Sequence, residues 1–536
     1  MKTENIFSIK YALFALFMLF SATVMGQVQV TGTVSDELGP VLGATVREKG
    51  TQNGTTTDMD GKFQLKVKNV NATLSISFVG YKSQNVNLAG RTSVNVTLKA
   101  DAQMLDETVV VGYGKMKRSD LAGASTTLDN KALEEGNITN IDQAFQGRVA
   151  GVTSIATSGA PGSSQSIRVR GQATINAGAE PLYVIDGVIF QGGGQSGADL
   201  GLGDRLGNGS VSTVSPLSTI NPADIISMEI LKDASATAIY GAQGSNGVVL
   251  ITTKRGKSGE AKFTYDGSVT MSRQMKRLDM MNLREFATYY NTLVDQGEIT
   301  ANSADPMYSD PSVLGIGTNW QDAVFRTAWQ HNHQISAQGG TDKVQYYVSG
   351  NFMNQEGTII GSNFERYGLR ANLDAQLKPW LKLGLNASYT ATSDNLKLAD
   401  SDEGIINYSL VTPPDIQIYN IDGGYSSVSK EGFTNPNPIA MAMLNEILLD
   451  RQKLNGSIFA DVTLLKSLVW HAELGWDLSW SKGSTYEPKV DLGTWVRDNN
   501  NGRIQKNSST YWTVKNYLTW NEQFGKHSIS AMLGQE

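Results

Sequence analysis

From about Ala261 onward the chain runs in segments of about ten residues in which apolar and polar side chains alternate. A period of two is the signature of a β-strand with one apolar face, and a helix cannot hold that pattern. In one segment Val344, Tyr346, Val348, Gly350 and Phe352 face one way while Gln345, Tyr347, Ser349 and Asn351 face the other. Tyr367, Leu369, Ala371, Leu373 and Ala375 oppose Arg366, Arg370, Asn372 and Asp374 in the next. Leu468, Trp470, Ala472, Leu474, Trp476, Leu478 and Trp480 oppose His471, Glu473, Asp477 and Ser479 in a later one. About nine such strands can be counted.

A soluble antiparallel sheet would alternate too. Two features point to a membrane barrel instead. Tyr389, Trp470, Trp480, Trp512 and Trp520 lie on the apolar face, often near strand ends, as interfacial girdles do. The connections also alternate in length. Those at Gly339–Asp342, Lys378–Pro379, Leu465–Ser467 and Gln523–Lys526 are tight, and those at 274–330, 354–365, 394–450 and 482–508 are long. Short periplasmic turns facing long outer loops give this rhythm.

No other membrane-crossing device is visible. The one long apolar run, Tyr11 to Phe20, is too short for a spanning helix, which takes roughly 20 residues. With Lys2 and Lys10 before it and Ser21-Ala-Thr-Val-Met-Gly26 after it, residues 1–26 read as a secretory signal peptide. The chain has no cysteine, which excludes disulfides, thiolate metal sites and a lipid anchor on an N-terminal Cys. A net charge of −6 gives no support for nucleic-acid binding.

Residues 27–100 carry short alternating strands (Phe63, Leu65, Val67; Leu74, Ile76, Phe78; Val94, Val96, Leu98) and are expected to form a small β-sandwich. Gly43-Ala-Thr-Val-Arg-Glu-Lys-Gly50, Thr57-Asp-Met-Asp-Gly61-Lys-Phe63 and Val79-Gly-Tyr81 resemble the carboxypeptidase regulatory-like domain, which implies a fold and no peptidase activity. Asp58 and Asp60 read as an Asp-Gly turn rather than a Ca²⁺ loop, which needs more oxygen ligands. Residues 119–259 mix short helices with strands. Thr139 and Asp142 suggest a capping box that opens a helix ending near Gly147. Asn221-Pro222 is a helix start, and Pro181 to Gly187 is a strand that ends in a turn. Leu283 to Tyr290, inside the first long connection, suggests a helix at the barrel mouth.

Between these domains, in a linker spanning 101–118, lies Asp106-Glu-Thr-Val-Val-Val-Gly-Tyr-Gly114. Three valines in a polar linker form a strand that a partner can bind by β-augmentation. The segment resembles the TonB box of a SusC/RagA-type outer-membrane transporter, with Thr108 where another Val is usual. The strings Gln146-Gly-Arg-Val-Ala-Gly-Val152, Ser158-Gly-Ala-Pro-Gly162, Ile167-Arg-Val-Arg-Gly171, Asp186-Gly187, Leu231 to Gly241 and Asn246 to Gly256 are similar to the plug domain of that family, with Ile189 where a Pro is common.

The resemblance implies a mostly β protein: a sandwich at 27–100, a plug at 119–259, and a partial transmembrane barrel at 260–536. The family barrel has roughly 22 strands. The nine counted here lead to the expectation that the sequence is a fragment, or a prematurely ended reading frame, of a transporter about twice as long. The implied activity is TonB-dependent import of an oligosaccharide, or of a peptide, across the outer membrane. The implied partners are TonB with its inner-membrane motor, a SusD-like surface lipoprotein and outer-membrane lipid. The N-terminal domains would lie in the periplasm. TonB would bind Asp106, Glu107, Thr108, Val109, Val110 and Val111. Arg168 and Arg170 are expected to make polar contacts between plug and barrel wall. Alternatives from other classes are a surface binding or signalling receptor and a non-functional remnant.

No nucleophile–base arrangement stands out, so neither an enzyme nor a cofactor is expected. Gln191-Gly-Gly-Gly194 lacks the Lys-Ser/Thr of a P-loop. Asp199 and Asp204 read as a solvated loop. His331 and His333 share a strand face, but no third metal ligand accompanies them.

Overall fold

The computed structural model describes residues 28–98, 108–110, 115–117, 125–129, 140–171, 179–190, 215–301, 306–399, 404–426, 436–492 and 495–536, with gaps at 37–38, 42, 50, 52, 59, 79–80, 82–83, 157, 164 and 526. Residues 1–26, where a signal peptide is expected, together with Asp199, Asp204 and 191–194 lie outside these residues. Two compact units divide the chain, one holding 28–98 and the other everything from 125 onward.

The first unit is the expected sandwich. One sheet orders β4 (Lys62–Val67), β1 (Val28–Ser35) and β7 (Ser93–Thr97), and the other orders β3 (Gly54–Thr56), β2 (Thr45–Glu48), β5 (Thr73–Ser77) and β6 (Gln84–Asn87). Alternation does the work: in β4, Phe63, Leu65 and Val67 are buried while Lys62, Gln64 and Lys66 are exposed. These side chains join Val30, Val34, Val46, Leu74, Ile76, Val94 and Val96 in one apolar core. Asp58 forms the expected turn, with Oδ1 accepting from the backbone N–H groups of Asp60 and Lys62.

In the second unit a five-stranded sheet orders β10 (Ser125–Asp129), β15 (Ile225–Leu231), β16 (Val248–Thr253), β13 (Leu182–Ile185) and β14 (Val188–Ile189). A separate hairpin pairs β11 (Val152–Ala156) with β12 (Gln165–Val169). The core between them includes Phe145, Ile167, Tyr183, Leu217, Met228 and Val249. Asp186 and Gly187 both take positive φ (48° and 95°), the left-handed pair that a two-residue turn between β13 and β14 requires. Thr139 of the capping box expected at 139–142 lies outside the described residues. Asp142 sits inside a 3-10 turn, Ile141–Phe145, where its carboxylate is buried and accepts from Ser215 Oγ. Asn221 does cap, but it opens only the turn Pro222–Asp224 before β15 begins.

Around this domain runs a nine-stranded antiparallel sheet that is not closed. Its order is β17 (Gly259–Ser272), β18 (Ala328–Gly340), β19 (Val344–Glu356), β20 (Asn363–Lys378), β21 (Leu381–Asn395), β22 (Glu446–Leu465), β23 (Leu468–Glu487), β26 (Asn501–Phe524) and β27 (His527–Gln535). The four tight connections fall where expected. The second long one is only residues 357–362, and the fourth is 488–500, with a small hairpin of β24 (Val490–Leu492) and β25 (Trp495–Arg497) inside it. The strands outrun their hydrophobic pattern. Beyond Phe352 the outward residues turn polar (Asn354, Glu356), yet the backbone ladder continues to Asn363.

The outward face is apolar from Trp470 to Trp480 on β23, and neighbouring exposed residues such as Leu369, Leu474, Trp512 and Val514 continue it across the sheet. Ten residue steps of about 3.3 Å, tilted by about 40°, span roughly 25 Å, the height of an outer-membrane apolar band. The cross-strand row just above it reads Asn354, Glu365, Ser393, Asp450, Lys482 and Lys506. At that end the long connections pack their own cluster around Trp320, Val324, Ile405 and Ile439. The expected helix there runs Leu283–Asp295, and Asn282 and Glu285 close a reciprocal capping box.

Candidate functional site: the plug–wall seam

The inner face of the sheet meets the five-stranded domain through polar side chains. Asp224, at the end of the turn that Asn221 caps, is the hub. Its Oδ1 accepts from Tyr347 Oη (2.8 Å), Ser349 Oγ (2.7 Å) and Gln334 Nε2 (2.9 Å). Its Oδ2 lies 3.7 Å from Arg370 Nε, and Arg370 Nη1 lies 3.7 Å from Asp186 Oδ2. Asp186 also accepts from Thr253 N and Oγ1. All of these side chains are buried. Asn221 Nδ2 donates to Gln334 Oε1 (2.9 Å), so one wall glutamine spans both ends of the turn.

Two further wall arginines hold backbone. Arg366 Nη1 donates to the carbonyls of Ser218 (3.0 Å) and Ile220 (3.2 Å). Arg451 donates to the Ser215 carbonyl, to Ser218 Oγ and to Asp394 on the neighbouring wall strand, each at 3.1 Å. Asn372 Nδ2 reaches Thr253 Oγ1 and the Lys254 carbonyl, and Arg255 pairs with Asp374 at 3.4 Å. Lys453 Nζ stands 3.5 Å over the Phe190 ring and pairs with Asp477 at 3.1 Å. Burying this many charges is costly unless each is paired, and these are placed so that each meets a partner.

Within the plug-like domain, burial pushes the Asp142 carboxyl up to about 7, helped by the nearby Glu180 charge and opposed by the Ser215 hydrogen bond. The Asp142 backbone carbonyl also accepts from Ser154 Oγ of β11, so this residue ties the 3-10 turn to the Ser215 segment that Arg451 grips.

Of the sequence-expected contact residues, Arg170 takes a positive φ of 57° and forms an ion pair with Asp233 of its own domain. Arg168 lies on β12 opposite Thr153. Most cations of the seam come from the wall, on the polar faces of β20, β22 and β26, and Arg255 comes from the plug side. Arg370 and Arg366 were visible there as polar alternates, but only the register of a folded sheet tells which carboxylate or carbonyl they meet.

Of the 106–111 segment, Thr108–Val110 form β8, paired as a two-stranded sheet with β9 (Lys115–Lys117); Asp106, Glu107 and Val111 lie outside the described residues. Thr108–Val110 thus already have a backbone partner, where the sequence suggested an unpaired strand. His331 and His333 stand on the outward face of β18, in a row of rings with Phe352 and Tyr367. His333 Nδ1 shares a hydrogen bond with Tyr265 Oη (2.7 Å).

Known proteins resemble this chain in sequence and fold. Residues 30–110 match the CarboxypepD_reg-like domain family, and residues 117–248 match the TonB-dependent Receptor Plug Domain. TonB-dependent receptor SusC of Bacteroides thetaiotaomicron is 34% identical over 537 aligned residues, covering 95% of this chain and 50% of that protein. TonB-dependent receptor P3 of Formosa agariphila is 32% identical over 547, covering all of this chain and 50% of that protein. The structure of the RagAB peptide importer in its open-open state superposes with a TM-score of 0.64 at 25% identity, over 80% of this chain and 48% of that one. The chain spans about half the length of the curated relatives it matches.

Proposed function

We propose, from the premise that this chain is a SusC/RagA-like TonB-dependent receptor sequence, that it serves TonB-dependent import across the outer membrane. The observation that carries this reading is the seam itself. A sheet apolar outside and polar inside holds a folded domain by hydrogen bonds and ion pairs. Water can replace such bonds once the domain shifts, whereas re-exposing an apolar interface costs about 25 cal/mol per Å².

Residues 106–111, which precede the plug in sequence, are the handle. TonB would take Thr108–Val111 as an added strand, displacing the short β8–β9 pairing. The pull, driven by the inner-membrane proton gradient, would reach the plug through β10. Cargo would be an oligosaccharide, as for the SusC-like half of a transporter–lipoprotein pair, with a SusD-like surface lipoprotein closing over it. The likeness to a peptide importer makes peptide the second choice. The chain would then lie in the outer membrane with its sandwich in the periplasm.

Deleting Asp106–Gly114 from the receptor that carries this sequence tests the proposal. Receptor-dependent growth on a panel of glycans should stop while surface binding of glycan persists. Unchanged growth would refute TonB coupling through this segment.

A further inference from the structure

The seam is not evenly fastened. Along 215–224 and 253–255 the wall grips the plug through Asp224, Arg366, Arg451, Asn372 and Asp374. The β13–β14 hairpin is held differently. Lys515 Nζ donates to the Gly187 carbonyl at its tip, Val188 rests on Gly475, and Phe190 lies beneath Lys453. β14 is also the edge of the plug sheet and contributes only two residues to it. Asp186 at the turn is bonded into its own sheet through Thr253 and faces Arg370 of the wall, and beyond Gly187 the described hairpin meets the wall through the Val188–Gly475 and Phe190–Lys453 contacts.

Directly beside that tip lies a cavity of about 350 Å³, within the roughly 300–1,000 Å³ typical of small-molecule sites. It sits at the tight-turn end of the sheet. Gln376 and Lys382 flank the Lys378–Leu381 turn, and Thr463 and Val469 flank the Leu465–Leu468 turn, and all four line it. The plug contributes only Asp186, Gly187 and Arg255 to its lining, and the wall contributes the rest.

The polar groups within it are planar and hydrogen-bonding: Gln376, Asn386, Asp461, Glu473 and Asn521, with Lys515. Glu473 is 9% exposed, and its Oε1 makes no hydrogen bond; Lys515 Nζ stands 3.6 Å away. A buried carboxylate oxygen without a donor is costly, and a ligand hydroxyl would satisfy it. The lining cations Arg255, Lys382 and Lys515 equal Asp186, Asp461 and Glu473 in number, with His471 set between the last two carboxylates, so the site suits a ligand without negative charge. The surrounding wall strands are paired along their ladders, and the one nearby edge, β14, is two residues long, too short to seat an extended peptide.

Resting on the import reading above, we propose that this cavity is a cargo site on the exit side of the plug. A neutral saccharide unit would dock there on Glu473 and Lys515 and leave as the β13–β14 hairpin swings off the wall. Lys515 would exchange the Gly187 carbonyl for a cargo hydroxyl, so that hairpin release and cargo binding go together.

These 536 residues contain no cysteine, so the test starts from a receptor in which any cysteine outside them is replaced. A Cβ placed on Gly475 would stand 2.9 Å from a Val188 methyl, so Val188→Cys with Gly475→Cys sets two sulfurs within disulfide reach. Oxidising this pair in cells should cut receptor-dependent growth on glycan at least tenfold, with surface binding retained and growth restored by reductant. A cross-link that forms completely and leaves growth at the parental rate overturns the exit site, whereas failure of the Asp106–Gly114 deletion strikes the import reading instead.

Should the reduced pair already be inactive, single-cysteine Thr519→Cys decides. Its maleimide labelling in purified receptor should slow at least threefold with glucose, galactose, mannose or their disaccharides. It should keep its rate with a neutral tripeptide pool. Protection by peptides alone, or by neither, refutes the saccharide site.

Discussion

The sandwich core and the plug–wall seam both bury side chains between β-sheets, and they do it with opposite chemistry. The sandwich core closes on Val, Leu, Ile, Phe and Ala. The seam closes on Asp224, Arg366, Arg370, Arg451, Lys453 and Asp477. An apolar core is cheap to form and gains nothing from opening in water. A paired polar interface is costly to bury, and its groups regain hydration when it opens, so its net cohesion is small for the area it covers. On the import proposed above, the first would suit a domain that survives a pull, and the second a joint that parts.

The contrast can be broken at its strongest points first. Ile76→Ala, in the sandwich core, should cost about 2–5 kcal/mol, which for a domain of this size lowers the melting temperature by roughly 10–30 °C. The transition of the sandwich alone should move; a matching shift in the plug would mean that the two cores are not independent.

Asp224→Ala comes next. It leaves Arg370 half-paired and strands the Tyr347, Ser349 and Gln334 donors, so the plug should loosen by about 3–5 kcal/mol, read as faster hydrogen exchange in 215–231. The sharper variant replaces both charges, Asp224→Leu with Arg370→Met. Exchange should then fall part of the way back toward the parental rate, because no half-paired guanidinium remains although the Tyr347, Ser349 and Gln334 donors stay stranded, while receptor-dependent growth falls because an apolar patch resists re-exposure. Growth at the parental level would show that the charges serve no purpose in release.

How much of this was legible in the sequence divides along the same line. The sandwich and the wall strands could be read directly, because a period-two apolar pattern is a local property and each buried residue declares itself by type. The seam could not. Asp224 looked like part of a helix start after Asn221-Pro222, and its partners Gln334, Tyr347 and Ser349 lie more than 100 residues away, brought together only by strand register. Arg170 looked like a seam residue because it alternates on a strand, yet its positive φ turns it toward Asp233. Loop lengths were misjudged where outward residues became polar before pairing stopped, as at Asn354 and Lys482.

Asp142 offers a milder probe, through pH. Its folded carboxyl sits near 7, above the ordinary 3.8, so the folded plug binds a proton that the unfolded chain releases. That contribution is fully present below about pH 4 and fades as pH rises through about 7, amounting to roughly 2–4 kcal/mol at most. Opening of 141–145, by hydrogen exchange corrected for intrinsic rates, should be more frequent at pH 8 than at pH 5. Asp142→Asn should flatten the difference; a profile that stays steep would place the titration elsewhere.

The smallest effect completes the contrast because its geometry looks the better of the two. Lys62 Nζ lies 3.2 Å from Asp60 Oδ2 on the sandwich surface, closer than the 3.7 Å between Arg370 and Asp224. Distance alone would rank the surface pair stronger. Yet its side chains are 63% and 72% exposed, against 6% and 7% in the seam. Water screens the surface charges and solvates each one as soon as its partner is gone, so Asp60→Ala should change sandwich stability by no more than about 0.5 kcal/mol. The buried pair has no such refuge, and loss of one partner leaves a charge that nothing solvates. Chemical denaturation of the Asp60→Ala sandwich beside Asp58→Ala supplies an internal scale. Removing Asp58 deletes the acceptor of two backbone N–H groups and should cost about 1 kcal/mol. If Asp60→Ala matched or exceeded it, solvent exposure would not be what separates the two kinds of ion pair in this protein.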